Sequence, residues 1–301
     1  MSTTKTLIKQ LQQGDQKALA RCITVVENEL NGYEEILTTL KFNQAIPVVG
    51  VTGPPGAGKS TLINALIKKL TDENKSVGVI AIDPTSPFNF GSLLGDRLRM
   101  SEHFNNEKVF IRSLATRGSL GGLAAKIIEI VDVMRASSFD YIIVETVGVG
   151  QSEVEVVGLA DTTVLVLVPE SGDDVQAIKS GIMEIADIFV VNKSDRDGAN
   201  TFIKNIVQMV HSKEATAWNI PVIKAIATKG EGVEELIETI DKHNKVGVNT
   251  KRSYLFAEKA YRLIQNKKMK GVSKSDLKDR IEEALKNKDF NLYTFVKNMD
   301  C

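Results

Sequence analysis

The chain contains few of the residues that build disulfide, redox or metal sites. Its two cysteines, Cys22 and Cys301, fit no C-x-x-C spacing, and its three histidines lie far apart with no cysteine beside them. The first residues lack the apolar core of a signal peptide, and no apolar run approaches the 18 residues of a membrane helix. These absences disfavour a metal-delivery or membrane role, and we expect a reduced, cytoplasmic protein.

Neither sign of charge is in excess. Lys and Arg together number 38, as do Asp and Glu, and 43% of the residues are apolar. A chain without net charge has no general electrostatic attraction for nucleic acid or for an anionic membrane. The local exception is residues 250–301, where 13 basic residues stand against 7 acidic ones. We interpret this stretch as a solvated helical surface, with a partner-binding surface as the alternative.

The periodicity of the apolar residues divides the chain into three segments. In residues 1–44 they recur at three- and four-residue steps, which predicts two amphipathic helices and a short third one. Residues 45–245 alternate apolar strands with helical stretches, and residues 246–301 are helical again. We therefore expect an amino-terminal helical segment packed on a central α/β domain, followed by a carboxyl-terminal helical arm.

The strands of the central domain are apolar on both faces, which is typical of a mainly parallel sheet covered by helices on both sides. The predicted strands are residues 46–51, 76–83, 108–112, 141–145, 163–168, 188–192 and 222–226. Ligands of such sheets bind beyond the carboxyl ends of the strands. Polar residues that follow these ends, such as Asp83, Glu145 and Asn192, are therefore candidate site residues.

Residues 53–61 read GPPGAGKST and fit the phosphate-loop pattern G-x-x-x-x-G-K-[ST], between a predicted strand and a predicted helix. Glycines let backbone N–H groups turn toward phosphates, and the helix N-terminus adds its positive end. Lys59 is predicted to reach the β- and γ-phosphates, and the Ser60 hydroxyl to bind Mg²⁺. The remaining predicted contacts of this loop are Gly56, Ala57, Gly58 and Thr61. The sequence therefore predicts an α/β fold of the P-loop NTPase type.

The tetrad at residues 192–195, NKSD, fits the guanine-reading pattern N-K-x-D and follows an apolar strand. The Asp195 carboxylate can accept from guanine N1–H and the 2-amino group, whereas adenine lacks that amino group and has an acceptor at N1. Such a mismatch discriminates by roughly 10⁴-fold. Lys193 is predicted to lie along the base, Asn192 to tie neighbouring loops together, and the Ala227 N–H to donate to guanine O6. GTP and GDP are the expected ligands.

Hydrolysis at such a site depends on positioning and charge stabilisation. Glu145 stands where the usual D-x-x-G motif begins, and we expect it to hold Mg²⁺ through a water and the Gly148 N–H to sense the γ-phosphate. Asp83 is a second candidate for the metal shell. Val149 occupies the place of a water-orienting glutamine, so intrinsic hydrolysis should be slow or use another residue. Beside Lys59 and Glu145, the open catalytic candidates are Asp96, Gln151 and Glu153.

Several further motifs occur in order and carry a family resemblance. They are IDPTSP at 82–87, GDRLRM at 95–100, TRG at 116–118, ETVGVGQSE at 145–153 and GIMEIAD at 181–187. Together with the phosphate loop and the guanine tetrad, they resemble the MeaB/ArgK family of GTPases, which are associated with adenosylcobalamin-dependent acyl-CoA mutases. The ETVGVGQSE motif is far more specific than the phosphate loop, which many unrelated enzymes share.

The resemblance implies more than the residues alone. It implies a SIMIBI-class P-loop fold, a homodimer built partly through the carboxyl-terminal arm, and GTP hydrolysis that gates cofactor delivery to methylmalonyl-CoA mutase and protects that enzyme. By matching position it implies nucleotide, metal or switch roles for Lys59, Ser60, Asp83, Asp96, Glu145 and Asp195. Departures from the family pattern, among them Phe88 and Phe90, leave the identity of the client mutase open.

Two alternatives come from other functional classes. A kinase for a small molecule or a protein, which the ArgK name suggests, is disfavoured by the guanine-reading tetrad because most such kinases use ATP. A nickel-insertion GTPase of related fold is disfavoured because His103, His211 and His243 are scattered along the chain. The destination of the γ-phosphate, water or an acceptor, separates the GTPase from the kinase.

Overall fold

The computed structural model describes residues 3–43, 45–83, 100–115, 126–146, 159–172, 186–211, 218–269, 271–287 and 289–299. The chain forms two compact units, Met1–Lys251 and Arg252–Cys301. The amino-terminal helices therefore belong to the same unit as the central sheet. None of the helices in the described ranges combines the length and the apolar character needed to cross a bilayer.

Within the described residues, seven strands form one sheet in which every pairing is parallel. The strands are β1 (Val48–Thr52), β2 (Val77–Asp83), β3 (Val109–Ala115), β4 (Tyr141–Glu145), β5 (Thr162–Leu167), β6 (Ile188–Val191) and β7 (Val222–Lys224). Their spatial order is β3-β2-β4-β1-β5-β6-β7. The predicted α/β fold with a parallel sheet is confirmed, and each predicted strand is present.

Helices occupy the segments between and beyond the strands. In the described residues before Val233 the α-helices are α1 (Thr3–Gln12), α2 (Gln16–Glu27), α3 (Tyr33–Thr39), α4 (Lys59–Asp72), α5 (Ile127–Arg135) and α6 (Ala199–His211). The three helices predicted for residues 1–44 are thus present. Asp15 starts α2, because its carboxylate accepts hydrogen bonds from the backbone N–H groups of Lys17 and Ala18.

Alternating residues of the inner strands build two separate apolar layers, because successive side chains of a strand point to opposite faces. Val48 and Ile142 pack with α1, α2, α3 and α5 on one face. Val49 and Ile143 pack on the other face with α4 and with the helix that begins at Val233. The sheet is therefore covered on both sides, and the carboxyl ends of its strands are left as the edge where polar loops gather.

The last part of the chain is helical, as predicted. Helix α7 (Val233–Lys268) is followed by α8 (Lys274–Ala284) and α9 (Leu292–Lys297). Side chains of Ser273 and Asn291 cap α8 and α9 by accepting from backbone N–H groups. Helix α7 runs unbroken through the predicted division at residues 245/246, and the two compact units divide six residues later.

Candidate functional site

Two glycines of the loop between β1 and α4 leave no room for a side chain. Gly53 has φ +140°, and a Cβ at this position would lie 2.1 Å from the carbonyl oxygen of Val166 in β5. Gly58 has φ +87°, and its Cβ would lie 2.4 Å from Asn192 Nδ2. The loop therefore lies directly against the ends of β5 and β6.

Lys59, the first residue of α4, points back across this loop. Its Nζ donates to the carbonyl oxygens of Gly53 at 2.8 Å and Pro54 at 3.2 Å. Its side chain is buried. The ammonium thus lies inside the ring of loop backbone, within the space that the phosphate-loop pattern assigns to a polyphosphate.

Ser60 and Glu145 bring the loop together with the end of β4. Ser60 Oγ donates to Glu145 Oε1 at 2.7 Å, and both residues are buried. Mg²⁺ takes oxygen ligands in octahedral geometry at about 2.1 Å, which places neighbouring ligand atoms about 3 Å apart. The hydroxyl and the carboxylate have the chemistry and the spacing that this ion requires, so the two residues fit a magnesium site.

Asn192 links three loops at the end of β6. Its Nδ2 donates to the carbonyl oxygen of Ala57 at 2.9 Å, and its Oδ1 accepts from the Ala227 N–H at 3.1 Å. Lys193 follows with a left-handed φ of +55°, and its Nζ donates to the carbonyl oxygen of Gly56 at 2.8 Å. The guanine-reading tetrad and the phosphate loop are therefore one connected structure.

The predicted guanine contact of Ala227 lies in the same cluster of loops. Its N–H, expected to donate to guanine O6, bonds to Asn192 Oδ1. The next residue, Thr228, supplies the following N–H of the same turn. The contact to guanine O6 stays a prediction.

The remaining predicted residues are distributed as follows. Gly56 and Thr61 are exposed at the loop and in the first turn of α4, and Asp195 is exposed in the loop after β6. Asp83 ends β2, and nothing is described of its side chain. Several predicted residues lie outside the described ranges, namely Asp96, Gly148, Val149, Gln151 and Glu153, and so do Phe88 and Phe90.

Sequence reasoning missed Glu170, which follows β5 at the same edge of the sheet. Its carboxylate pairs with the guanidinium of Arg196, next to Asp195, so the two loops are joined. The hydrogen bond from Arg196 lowers the pKa of Glu170 below its usual range. Its position after the carboxyl end of a parallel strand is the signal in the sequence that points to this link between loops.

A cavity of about 520 Å³ opens beside the loop, between α4 and the turn that precedes α7. It is bordered on one side by Thr61 and Asn64 and on the other by Thr228 and Lys229. The cavity therefore begins where the phosphate loop ends and where the Asn192-linked turn starts.

A parallel sheet with a glycine loop after β1, and an N-K-x-D tetrad tied to that loop after β6, defines a P-loop nucleotide-binding protein of the guanine-reading class. The model of one family, described as methylmalonyl-CoA mutase-associated GTPase MeaB, matches residues 19–286. The chain belongs to this family of P-loop GTPases.

Individual relatives agree with this membership. A relative from Pyrococcus abyssi is 46% identical over 289 residues, covering 94% of this chain and 88% of its own. The mitochondrial methylmalonic aciduria type A homolog of Mus musculus is 37% identical over 250 residues, covering 76% of this chain and 60% of its own. A crystal structure described as a LAO/AO transport system kinase has a TM-score of 0.69 at 27% identity, covering 96% of this chain and 88% of its own.

Proposed function

We propose that the protein binds GTP with Mg²⁺, hydrolyses it slowly on its own, and acts as a chaperone for a B12-dependent acyl-CoA mutase such as methylmalonyl-CoA mutase. In this role it gates adenosylcobalamin delivery and protects the mutase from inactivation. Family membership and the name of the Mus musculus relative support the mutase as partner. The structural observation that carries the proposal is the hydrogen bond from Ser60 to Glu145. It connects the phosphate loop to the first residue of the ETVGVGQSE motif, the most specific of the motifs on which the family resemblance rests.

The proposed placement of GTP uses the groups that line the loop. Lys59 exchanges the carbonyl oxygens of Gly53 and Pro54 for the β- and γ-phosphate oxygens, and the loop N–H groups bind the same phosphates. Ser60 and Glu145 hold Mg²⁺, which neutralises the charge on the phosphates when it is bound. Asp195 reads the guanine N1–H and 2-amino group, and the Ala227 N–H exchanges Asn192 Oδ1 for guanine O6.

Hydrolysis then needs an oriented water and little covalent chemistry. Lys59 supplies a fixed positive charge beside the phosphate that is transferred. Asp96 and Gln151 stay the candidates for orienting the water, with Glu145 as the link between the metal and the segment that follows it. We propose that contact with the mutase places this water-orienting group, which makes hydrolysis partner-stimulated.

The test mixes the protein with a B12-dependent mutase and follows two signals. GTP turnover is measured by phosphate release, with and without the mutase, and mutase inactivation is measured with GTP, with GDP and without nucleotide. We expect the mutase to raise turnover and the protein to slow inactivation. A pair of proteins with no effect on each other would contradict the chaperone role, while GTP turnover alone would still show a GTPase.

The kinase alternative has one supporting observation, the description of the similar crystal structure as a transport system kinase. It is tested in the same assay with γ-labelled GTP. We expect the label to appear as inorganic phosphate. Label transferred to a protein or a small-molecule acceptor would favour the kinase.

We further propose that the protein is a homodimer, formed partly by the unit Arg252–Cys301. The described residues of α8 and α9 include none that is buried, whereas large apolar side chains are exposed on α9 and on the segment that joins the two helices: Leu285, Leu292, Tyr293 and Val296. A surface of this composition gains free energy when another surface covers it. Light scattering at several concentrations tests the dimer, and a Tyr293→Asp, Val296→Asp double variant should dissociate it.

We also propose that the protein is located in the cytoplasm.

A further inference from the structure

The short strand β6 is fixed at both ends by a buried polar side chain. At its carboxyl end, Asn192 bonds to the phosphate loop and to Ala227. Just before its first residue, Asp187 is only 6% exposed, and its Oδ2 accepts a 2.9 Å hydrogen bond from the backbone N–H of Thr163 in β5. At about 3.3 Å per residue, the two fixed points lie roughly 16 Å apart. The position of β6 along the sheet therefore depends on both.

Asp187 is joined to helix α7 by His243. The imidazole Nε2 lies 3.4 Å from Asp187 Oδ1, and Nδ1 lies 2.8 Å from Thr162 Oγ1 at the start of β5. His243 is 3% exposed and Thr162 is fully buried. A buried carboxylate is costly unless hydrogen-bonded partners surround it. His243 is thus one of the groups that hold Asp187 in its buried place.

Trp218 closes this cluster on one side. Its Nε1 donates to the carbonyl oxygen of Asp187 at 2.8 Å, and its ring meets the imidazole of His243 edge-on at a centroid distance of 4.8 Å. The chain has a single tryptophan. Its fluorescence therefore reports on this cluster alone.

The cluster lies at the amino edge of the sheet, where the parallel strands β5 and β6 begin, so it touches no part of a nucleotide bound at the opposite edge. Strand β6 is the structure that connects the two edges, with Asp187 before it and Asn192 after it. We propose that His243 is a positioning residue for guanine recognition: it holds Asp187, and β6 carries that constraint to Asn192 and Asp195. The inference rests on the proposed binding of GTP.

The ratio of the dissociation constants for IDP and GDP measures this effect directly. Inosine lacks only the 2-amino group of guanine, so the ratio reports whether Asp195 is placed to accept from that group. A loss of fold stability alone weakens binding of both nucleotides equally and leaves the ratio unchanged. The ratio therefore separates positioning from a merely structural role.

The experiment compares variants of the full chain. His243→Phe removes the hydrogen bond to Thr162 and the polar contact with Asp187. Thr162→Val keeps the shape of the side chain and removes the hydroxyl, which bonds to His243 and donates to Asn244 Oδ1 at 3.2 Å. We expect each to lower the preference for GDP over IDP by about 2- to 30-fold, the range found for residues that act at a distance. His243→Gln and Thr162→Ser keep a hydrogen-bonding group and should retain most of the preference. If His243→Phe does not fold, Thr162→Val carries the test.

Tyr141→Phe is the matched control. The Tyr141 hydroxyl donates to Asp241 at 2.7 Å, and so ties the same helix α7 to the start of β4, which leads to Glu145. Its loss should leave the IDP/GDP ratio unchanged. If Tyr141→Phe changes the IDP/GDP ratio as much as the test variants do, the inference is overturned. It is also overturned if Thr162→Val alters the fluorescence of Trp218 but leaves the IDP/GDP ratio unchanged. If the unmutated protein binds neither GDP nor GTP, the proposed function fails, and the inference fails with it.

Discussion

The Ser60 hydroxyl donates a 2.7 Å hydrogen bond to the Glu145 carboxylate, across a sequence separation of 85 residues. The bond joins the first turn of α4 to the end of β4, and both residues are buried. Because both oxygen atoms suit Mg²⁺, binding of the ion would bring Ser60 and Glu145 into a common coordination shell. The ion would then connect the phosphate loop to Glu145 without a path through the sheet.

Substitution of Ser60 should reduce the increase in GTP affinity that Mg²⁺ provides. Ser60→Ala removes an oxygen ligand and a bond to a charged partner, an interaction worth about 1.5–3 kcal/mol, so the Mg²⁺-dependent gain in GTP affinity should fall about 10- to 100-fold. The ratio of the GTP dissociation constants measured with EDTA and with Mg²⁺ gives this gain. Ser194→Ala, which removes a hydroxyl bonded to the Ala225 carbonyl oxygen, should leave that ratio unchanged. An equal ratio in both variants would exclude Ser60 as a ligand.

Asp195 should decide which base is bound. Asp195→Asn replaces an acceptor by an amide that can donate to the 2-oxo group of xanthine, so GTP affinity should fall by roughly 10⁴-fold while XTP binding appears. Isothermal titration with both nucleotides measures the exchange. Asp197→Asn changes the same residue type in the same exposed loop and should leave both affinities as they are. Unchanged GTP affinity in Asp195→Asn would refute the assignment.

Gly53 should tolerate no side chain. A Cβ placed 2.1 Å from the Val166 carbonyl oxygen forces β1 and β5 apart, so Gly53→Ala should lower the free energy of unfolding by several kcal/mol. Gly198→Ala is the control, because Gly198 also has a left-handed φ, +80°, but has no atom within 4 Å of its Cβ among the described residues. It should cost only about 1 kcal/mol of backbone strain. Urea unfolding of the two variants measures the difference, and equal losses would contradict the clash.

His103 should make the fold less stable in mild acid. Burial lowers the pKa of His103 below its ordinary value of about 6.5, and the nearby carboxylate of Glu102, 3.6 Å away, opposes this effect only in part. Since the unfolded chain then binds a proton that the folded chain does not, stability falls as the pH decreases below about 6.5. When the urea unfolding midpoint is plotted against pH between 5 and 7.5, its slope should be smaller in His103→Gln than in the unmutated protein. Glu102→Gln should make this slope steeper. An unaltered slope in both variants would contradict the role of His103 in the pH dependence.

The sequence predicted the sheet well because buried parallel strands carry a strong local signal. β4 and β5 each contain four consecutive apolar residues, YIIV and VLVL, and the phosphate loop follows the buried strand β1 as its glycines require. The rule that ligands lie beyond strand ends then brought Glu145 and Asn192 to one edge before any contact was known. These predictions needed only local pattern and topology.

Contacts between distant residues were not predictable in the same way. The bond from Asn192 to Ala57 spans 135 residues, and the bond from the Ala227 N–H to Asn192 Oδ1 spans 35. Apolar periodicity carries no information about which side chain a distant backbone group bonds to. His243 was seen only as an isolated histidine, since its partners Asp187 and Thr162 are polar residues at strand starts, where sequence patterns carry no signal for a cluster.

The bonds from Lys59 to the carbonyl oxygens of Gly53 and Pro54 have a practical consequence for experiments on this protein. A lysine whose removal is meant to abolish phosphate binding also braces the loop through these two bonds. A Lys59→Ala chain would therefore lose the brace together with the phosphate contact, and a loss of mutase contact in it could not be ascribed to nucleotide alone. Asp195→Asn makes the better reference, because it changes an exposed side chain and its nucleotide binding can be restored with XTP.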